Sequence, residues 1–477
     1  MRPENNIESI RKKIEKNLRQ LPFMEHATKL ASIRGERVYV VGGYIRDLIM
    51  GVGKKDIDIL VVGDGTGFAV ELGKLLGIQE VMVYGNFGTA NFKFDDFDLE
   101  FVAARKESYN KESRNPEVVP STFEDDISRR DFTINAIAVS INEDTFGEIS
   151  DIYNGIDDIF AGIIRTPLEP DLTFDDDPLR IMRALRFASR FNFSFDPGVF
   201  EGIKRNAHRL EIVSQERITE EFMKIMATTQ PGIGLRLMYE TGVMGVVFPE
   251  MEKLGGVEQV DEYRHKDVFY HTCEVVDNIS RVTEDVWLRF AALVHDIAKP
   301  QTKKFVEGTG WTYHGHEEFG ARMMKFIFKR MKLPFAKINY VKKLVRLHLR
   351  PVAISKEEVT DSAVRRLIVD AGDDLEDLIT LCRADITSKN ENKVRNILKN
   401  YERVMQRVLE VREKDALRAF QSPVRGEEIM SVLGLKPGPQ VGVVKTAIEE
   451  AILEGIIPNE YEPAYKYMLE VAGKLVK

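Results

Sequence analysis

The chain has 477 residues, 43% of them hydrophobic and 30% charged. At about 100–200 residues per domain, that is material for about three folded domains. Lys and Arg number 68 against 76 Asp and Glu, a net charge of −8, which excludes a uniformly basic nucleic-acid coat but leaves room for one basic face. The two cysteines, Cys273 and Cys382, form neither a disulfide framework nor a zinc spacing and fit a reducing compartment. Met1 to Leu21 is polar and lacks an apolar signal core. No apolar run approaches the ~18 residues of a membrane-spanning helix. The expectation is a cytoplasmic, multidomain protein with no membrane partner.

In chain order, Ile7, Ile10, Ile14 and Leu18 recur at helical steps and predict a helix over 7–33. Val38 to Val41 is a short apolar run entering Gly42-Gly43, a buried strand running into a tight turn. Ile57 to Val62 reads as a second strand. Phe97, Leu99 and Phe101 alternate with Asp98, Glu100 and Val102 in a third. Residues 107–126 are polar, hold two prolines and read as a mobile loop. Strands dominate to about residue 165. From Asp176 onward almost everything reads as helix, broken near Pro249, Pro300, Pro334, Pro351 and Pro423. An N-terminal α/β domain thus carries a long helical body, an α+β chain as a whole.

The first chemical constellation is Asp56-Ile57-Asp58, twelve residues after Gly42-Gly43. On a strand both carboxylates face the same way, ~7 Å apart, and suit hard divalent cations. An isolated Asp-x-Asp is usually a solvated strand end; the glycine pair at this spacing argues otherwise. Glu100, on the polar face of its strand, could complete a three-carboxylate cluster holding two metals. The glycine turn lets backbone N–H groups approach phosphate oxygens. Arg129-Arg130-Asp131 offers two guanidiniums for phosphates and an acceptor for a ribose hydroxyl. Asp177, Arg180 and Arg183 read as one helical face, on which an acceptor beside a forked donor could read a base edge. An intrahelical salt bridge accounts for the same spacing. Glu216 to Phe222 opens another helix with a packing role.

These segments, in this order, resemble the class II tRNA nucleotidyltransferases and the bacterial poly(A) polymerases that share their head and neck. The matching residues are Gly42 to Asp47, Asp56 to Asp58, Arg129 to Ala136, Asp176 to Arg186 and Glu216 to Phe222. The resemblance implies a polymerase-beta-like nucleotidyltransferase head followed by an all-helical neck and body. It implies that Asp56 and Asp58 bind magnesium, and the strand-face reading adds Glu100 to that catalytic cluster. It implies that Gly43 and Arg46 touch the triphosphate, with Gly42 and Asp47 of the same motif among the nucleotide-binding positions. Arg130 and Asp131 are implied to meet ribose and phosphates. Asp177 and Arg180, helped by Arg183 and Arg186, are implied to template incoming CTP or ATP. One departure is visible: the family usually has Glu at the position of Asp176.

The second constellation is His295-Asp296 at the end of a helix over Trp287 to Lys299. A lone His-Asp pair is usually structural. Yet five of the eight histidines fall between 265 and 316, and imidazole with carboxylate suits a transition metal that activates water. The stretch 262–400 resembles the HD phosphohydrolase superfamily. His271, His295, Asp296 and Asp385 match its first-metal pattern, and His316 and His348 match positions that extend it toward a second metal. The resemblance implies a 2′,3′-cyclic phosphodiesterase or phosphatase with Mn2+, Ni2+ or Co2+, or else a structural copy of the domain.

Residues 321–350 hold ten Lys or Arg and no Asp or Glu. A solvated helix face usually carries both signs, so this reads as a polyanion surface, with Lys342, Lys343 and Arg346 as RNA contacts. The expected organisation is a nucleotidyltransferase head over 1–165, a nucleotide-selecting and RNA-binding neck over 166–255, an HD domain over 256–400 and a helical tail over 401–477. The expected partners are tRNA, CTP and ATP. A poly(A) polymerase or an A-only adder is the alternative enzyme; an RNA-binding protein with a structural HD domain is the alternative outside that class.

Overall fold

The computed structural model describes residues 7–475 apart from 54, 85–87, 109–116, 257–258, 261–262, 265–266, 357–359, 389, 419–421, 454–455 and 459. The chain forms two compact units, Met1–Val345 and Arg346–Lys477. Among the described residues no helix is long and apolar enough to cross a membrane.

The first unit opens with two helices, α1 (Ile7–Arg19) and α2 (Met24–Arg34), where one was expected. Pro22 sits in the break, and proline cannot continue a helix interior. A mixed sheet follows. Its strands are β1 (Arg37–Val41), β2 (Asp56–Val62), β3 (Met82–Tyr84), β4 (Thr89–Phe94), β5 (Phe97–Ala103), β8 (Ala138–Ser140) and β9 (Ile149–Ser150), in the order β3-β4-β5-β2-β1-β8-β9. β2 and β5 run parallel, with Asp58 opposite Glu100 and Asp56 opposite Asp98. One face of these strands presents Ile57, Ile59, Leu99 and Phe101, all buried. That face packs on Phe68 of α4 (Gly65–Leu75). On the other face Val41, Leu60 and Ala138 pack under Phe123 and Ile127 of α5 (Phe123–Ser128). Asp56 and Asp58 belong to this second face, at the end where α5 stops.

The reading of 107–126 as a mobile loop is corrected where the chain is described. β6 (Arg105–Ser108) pairs antiparallel with β7 (Glu117–Pro120), and α5 begins three residues later; 109–116 lie outside the described residues. The all-helical expectation beyond Asp176 also has exceptions among the described residues: Ser194–Phe195 pairs with Ile163–Ile164, Gln259–Val260 with Tyr263–Arg264, and Lys304–Val306 with Gly310–Thr312.

Helices build the rest of the first unit. The neck helix Leu179–Phe191 packs against Gln215–Met226 and Pro231–Glu240. Arg289, on the helix Val286–Val294, is 3% exposed. It donates to the carbonyls of Met226, Thr228, Ser280 and Thr283 at 2.8–3.3 Å. One guanidinium thereby satisfies carbonyls left over at two helix ends and a loop. The second unit is wholly helical among the described residues, with a core of Val424, Ile429, Val444, Ile448, Ala464 and Met468.

Replacing Arg289 with the similarly long Met leaves these carbonyls without a donor. Arg289→Met is expected to cost roughly 3 kcal/mol or more. The check is urea denaturation, in which the midpoint should fall with the slope unchanged.

Candidate functional site

The head site is built on the ends of β1 and β2. β1 carries the apolar run expected of it and ends at Val41, opposite Asp58. Gly42 then takes φ +75° and ψ −135°, which a residue with a side chain rarely adopts. Space demands glycine a second time. A Cβ at Gly42 would lie 3.1 Å from Arg130 Nη1 and 3.1 Å from Asp58 Oδ2. The backbone of this turn therefore lies flush between a guanidinium and a carboxylate. The next helix, α3 (Gly43–Met50), starts at Gly43.

The parallel register gives the carboxylate face four members: Asp56, Asp58, Asp98 and Glu100. Asp56 and Glu100 are exposed and Asp58 is half-buried. Asp98 takes Lys93 as an ion-pair partner at 3.0 Å. Among the described residues, the oxygens of Asp56, Asp58 and Glu100 do not close into a ligand group within 4.8 Å of one another. Hard oxygen donors in an open row suit a cation that keeps several of its waters, and magnesium is such a cation. Arg130 sits above this row with Nη2 3.2 Å from Asp126. Its buried Nε has no protein partner.

Behind the turn lies a buried ionic chain. Asp131, 8% exposed, accepts from its neighbour Phe132 N at 2.9 Å and Asn135 Nδ2 at 2.9 Å. It also accepts from Arg183 Nε at 2.7 Å and Nη2 at 2.6 Å. Burial pushes its carboxyl up, but Arg183 and Asn135 overcome this and hold it at about 2, against an ordinary 3.8. Asn135 in turn accepts from Arg46 Nη1. Arg46 is 2% exposed, donates to Asp47 at 2.7–2.8 Å and lies over the rings of Phe187 and Phe191. Arg190 reaches Asp47 at 3.4 Å. Both oxygens of Asp131 are thus engaged inside the protein, and Arg46 faces its partners rather than solvent.

The residues expected to select the base differ from their expected placement in one respect. Asp177 is not on the helix with Arg180. It has an extended backbone, φ −139° and ψ 100°, and caps the helix start through Leu179 N at 3.1 Å. The cause is local: Asp177 precedes Pro178, and the residue before proline is driven out of the helical region. Arg180 is 9% exposed and donates to the carbonyls of Thr173 at 3.3 Å and Arg129 at 2.6 Å. Arg186 is held at 2.6 Å by Glu221, itself buried, on the helix Gln215–Met226. Glu221, Asn135 and Arg190 were not among the expected site residues. Asn135 lay four residues beyond Asp131 inside the same motif, which was a usable signal. Glu221 lies 35 positions from Arg186, and no local pattern announces that pairing.

The second site gathers around Asp296. The helix Val286–Val294 ends just before His295 and Asp296; His271 comes from Val268–Ser280, and His316 opens His316–Arg330. The ligand atoms of His271, His295 and Asp296 lie within 4.8 Å of one another. His295 Nε2 and His316 Nε2 stand 3.2 and 3.3 Å from the Asp296 oxygens, and Lys299 Nζ is at 2.6 Å. His295 Nδ1 and His316 Nδ1 each lie 2.7 Å from a carbonyl oxygen, of Ala292 and Tyr313. A carbonyl only accepts, so both Nδ1 atoms carry hydrogen. Both Nε2 atoms thereby face the Asp296 carboxylate, and a fixed Nδ1 hydrogen bond of this kind is what metal-bound imidazoles make. Burial raises the Asp296 carboxyl, but His295 and Lys299 hold it well below its ordinary range.

His348 and Asp385 belong to the second unit. There His348 is buried and its carbonyl accepts from Cys382 Sγ at 3.1 Å, while Asp385 follows the helix Leu375–Ala384. Of the expected basic contacts, Lys342 and Lys343 are half-buried and Arg346 is exposed, all on the helix Ile338–Leu347.

Comparison with known proteins places these features together. The sequence model described as "Poly A polymerase head domain" matches residues 38–165, "Probable RNA and SrmB- binding site of polymerase A" matches 192–254, and "HD domain" matches 268–389. The multifunctional CCA protein of Acidovorax ebreus is 31% identical over 306 residues, 62% of this chain and 69% of that protein. The chain belongs to the tRNA nucleotidyltransferase and poly(A) polymerase family, with an HD domain. An A-adding tRNA nucleotidyltransferase of Deinococcus radiodurans is 29% identical over 433 residues, covering 89% of this chain and 93% of that one. A solved CCA-adding enzyme with ATP, 24% identical, shares the fold at a TM-score of 0.60 over 96% of this chain and 95% of its own.

In this tRNA nucleotidyltransferase homologue, the depressed Asp131 carboxyl links stability to pH with a definite sign. A group held at about 2 rather than 3.8 adds roughly 2 kcal/mol that is complete above its unfolded pKa and is lost as pH falls toward the folded one. Asp131→Asn removes that term. Urea midpoints of the two proteins from pH 3 to 7 should differ by a constant amount above about pH 5. The difference should narrow below that.

Proposed function

We propose that this chain adds or repairs the 3′-terminal CCA of tRNA without a nucleic-acid template. The observation that carries the reading is the Gly42 turn lying flush against Asp58 and Arg130, on a chain whose relatives are tRNA nucleotidyltransferases. The tRNA 3′-oxygen bonds to the α-phosphorus of CTP or ATP, the bond to the β-phosphate bridging oxygen breaks, and pyrophosphate leaves. Asp56, Asp58 and Glu100 would hold magnesium, which supplies charge neutralisation and an acidified hydroxyl when bound. The backbone at Gly42 and Gly43 accepts close approach of the triphosphate, with Arg130 Nη1 beside the turn. Asp131 acts through Arg183, and Asp47 through Arg46. Asp177 and Arg180 stand nearest the motif that would select the base, with Arg183 and Arg186 fixed beside them.

The His–Asp cluster would be a separate hydrolytic centre. His271, His295, Asp296 and His316 would hold a transition metal such as Mn2+, Ni2+ or Co2+; the other two expected ligands, His348 and Asp385, lie in the second unit. There water adds to phosphorus, one ester P–O bond breaks, and the released oxygen takes a proton. We assign the four spans ending at 165, 255, 400 and 477 to head, neck, HD domain and tail, with Lys342, Lys343 and Arg346 as tRNA contacts in a cytoplasmic enzyme.

The A-adding name of the Deinococcus relative supports a second reading, addition of the terminal A alone. One experiment decides both questions. Wild type, Asp58→Ala and His295→Ala are incubated with tRNA ending at the discriminator base, at C and at CC, with each labelled nucleotide. The wild type should extend all three; extension of the CC end alone, by A, would establish the second reading. Asp58→Ala should lose at least a hundredfold in incorporation, about 2.7 kcal/mol of barrier lowering, and keep metal-dependent phosphoester hydrolysis. His295→Ala should show the reverse. Loss of both activities in either folded variant would contradict two independent centres.

A further inference from the structure

The helix His316–Arg330 begins at the His–Asp centre and then turns an unusual face to solvent. Phe319, Arg322, Phe326 and Lys329 follow at three- and four-residue steps, so they form one stripe along the helix. All four are exposed. Phe326 is 64% exposed, a large ring that the core of the protein does not use. The Arg322 guanidinium lies 5.5 Å over the Phe319 ring. Beyond the stripe Phe335 is also 56% exposed. Glu317 and Glu318 sit in the first turn, where acidic residues complement the helix dipole; from Ala321 to Arg350 there is no further acid.

A surface made for a protein partner would gather its apolar rings and keep charge at the rim. Here rings and cations alternate. Phe319 and Phe326 are about 10 Å apart along the axis, at 1.5 Å per residue, with one cation between them and one beyond. That is the layout of a single nucleic-acid strand: a flat apolar base on each ring, a phosphate beside each cation. The charge complementarity holds against a chain whose net charge is −8. Phe319 lies one turn from His316, whose Nε2 is 3.3 Å from Asp296.

We propose that this stripe binds a single strand of RNA and leads its end to the His–Asp centre, so that the substrate of that centre is a phosphoester on an RNA strand rather than a free nucleotide. The substrate assignment rests on the hydrolytic reading above; the RNA surface itself does not. Two arms keep the two apart. In the first, a 12-nucleotide RNA containing 4-thiouridine is photo-crosslinked to the full chain and the modified peptides are identified by mass spectrometry. Crosslinks within 316–330 are expected, reduced at least fivefold in Phe326→Ala and in the double variant Arg322→Gln, Lys329→Gln. Absence of crosslinks there overturns the surface. So does a yield that polyglutamate of equal charge suppresses as well as unlabelled RNA does, with Phe326→Ala unaffected, because no ring would then be stacking.

In the second arm, manganese-supported hydrolysis is compared on a 12-nucleotide RNA ending in a 2′,3′-cyclic phosphate and on bis(p-nitrophenyl) phosphate. Phe326→Ala should lower kcat/KM at least tenfold on the RNA and less than twofold on the small ester. An equal loss on both would show a merely structural role and overturn the proposal. If the wild type hydrolyses neither ester, the hydrolytic reading and the substrate assignment fall together, and the crosslinks alone decide the RNA surface.

Discussion

A buried carboxylate that meets one arginine directly and a second through an asparagine organises the head. Asp131 leaves the end of α5, turns back on itself and meets Arg183 of the neck with both forks of the guanidinium. Through Asn135 it also fixes Arg46, 2% exposed on the helix after the glycine turn. Breaking one partner of such a pair leaves a charge buried and unpaired, which costs far more than an exposed salt bridge contributes. The glycine turn and the helix bearing Arg180, Arg183 and Arg186 are therefore not independent parts. Arg46 lies under the Phe187 and Phe191 rings of that same helix, so cation, ring and carboxylate hold strand end and neck in one arrangement.

The consequence for chemistry is a division of labour. Asp56, Asp58 and Glu100 remain on the accessible sheet face, where an oxygen-binding cation and a triphosphate can reach them. The arginines nearest them are already committed to protein partners, except for the spare Nε of Arg130. In the second centre the same logic runs through imidazole. The carbonyls of Ala292 and Tyr313 fix the ring tautomers, and Asp296 is the common point at which the Nε2 atoms meet. One chain thus carries a hard-donor site on a sheet and a nitrogen-rich site among helices, suited to different ions.

Much of this was legible in the sequence because it depends on local rules. The apolar runs around Val40 and Ile59, the glycine turn, the alternation in β5 and the start of the helix at Leu179 follow from period, turn chemistry and proline placement. The same rules, applied more fully, would have taken Asp177 off the helix, since it stands before Pro178. They would also have divided 7–33 at Pro22. Other features were out of reach for physical reasons. The β6–β7 hairpin is polar on a stretch with two prolines, and its pairing is a matter of register rather than composition. Glu221 meets Arg186 only because two helices pack, and such a contact leaves no periodic trace. That Arg180 ends on two backbone carbonyls likewise depends on how Thr173 and Arg129 are brought to it.

The central claim is that the neck helix Leu179–Phe191 and the glycine turn act as one unit through Asp131 and Arg183. A kinetic double-mutant cycle tests it most directly, with Asp131→Asn, Arg183→Gln and the double variant compared on kcat/KM for nucleotide incorporation. If the pair is the link, the losses are strongly non-additive: the double variant is no worse than the worse single variant, a coupling of about 1.4 kcal/mol or more for a tenfold departure from additivity. Losses that multiply within about twofold would contradict it, because the two residues would then be acting separately.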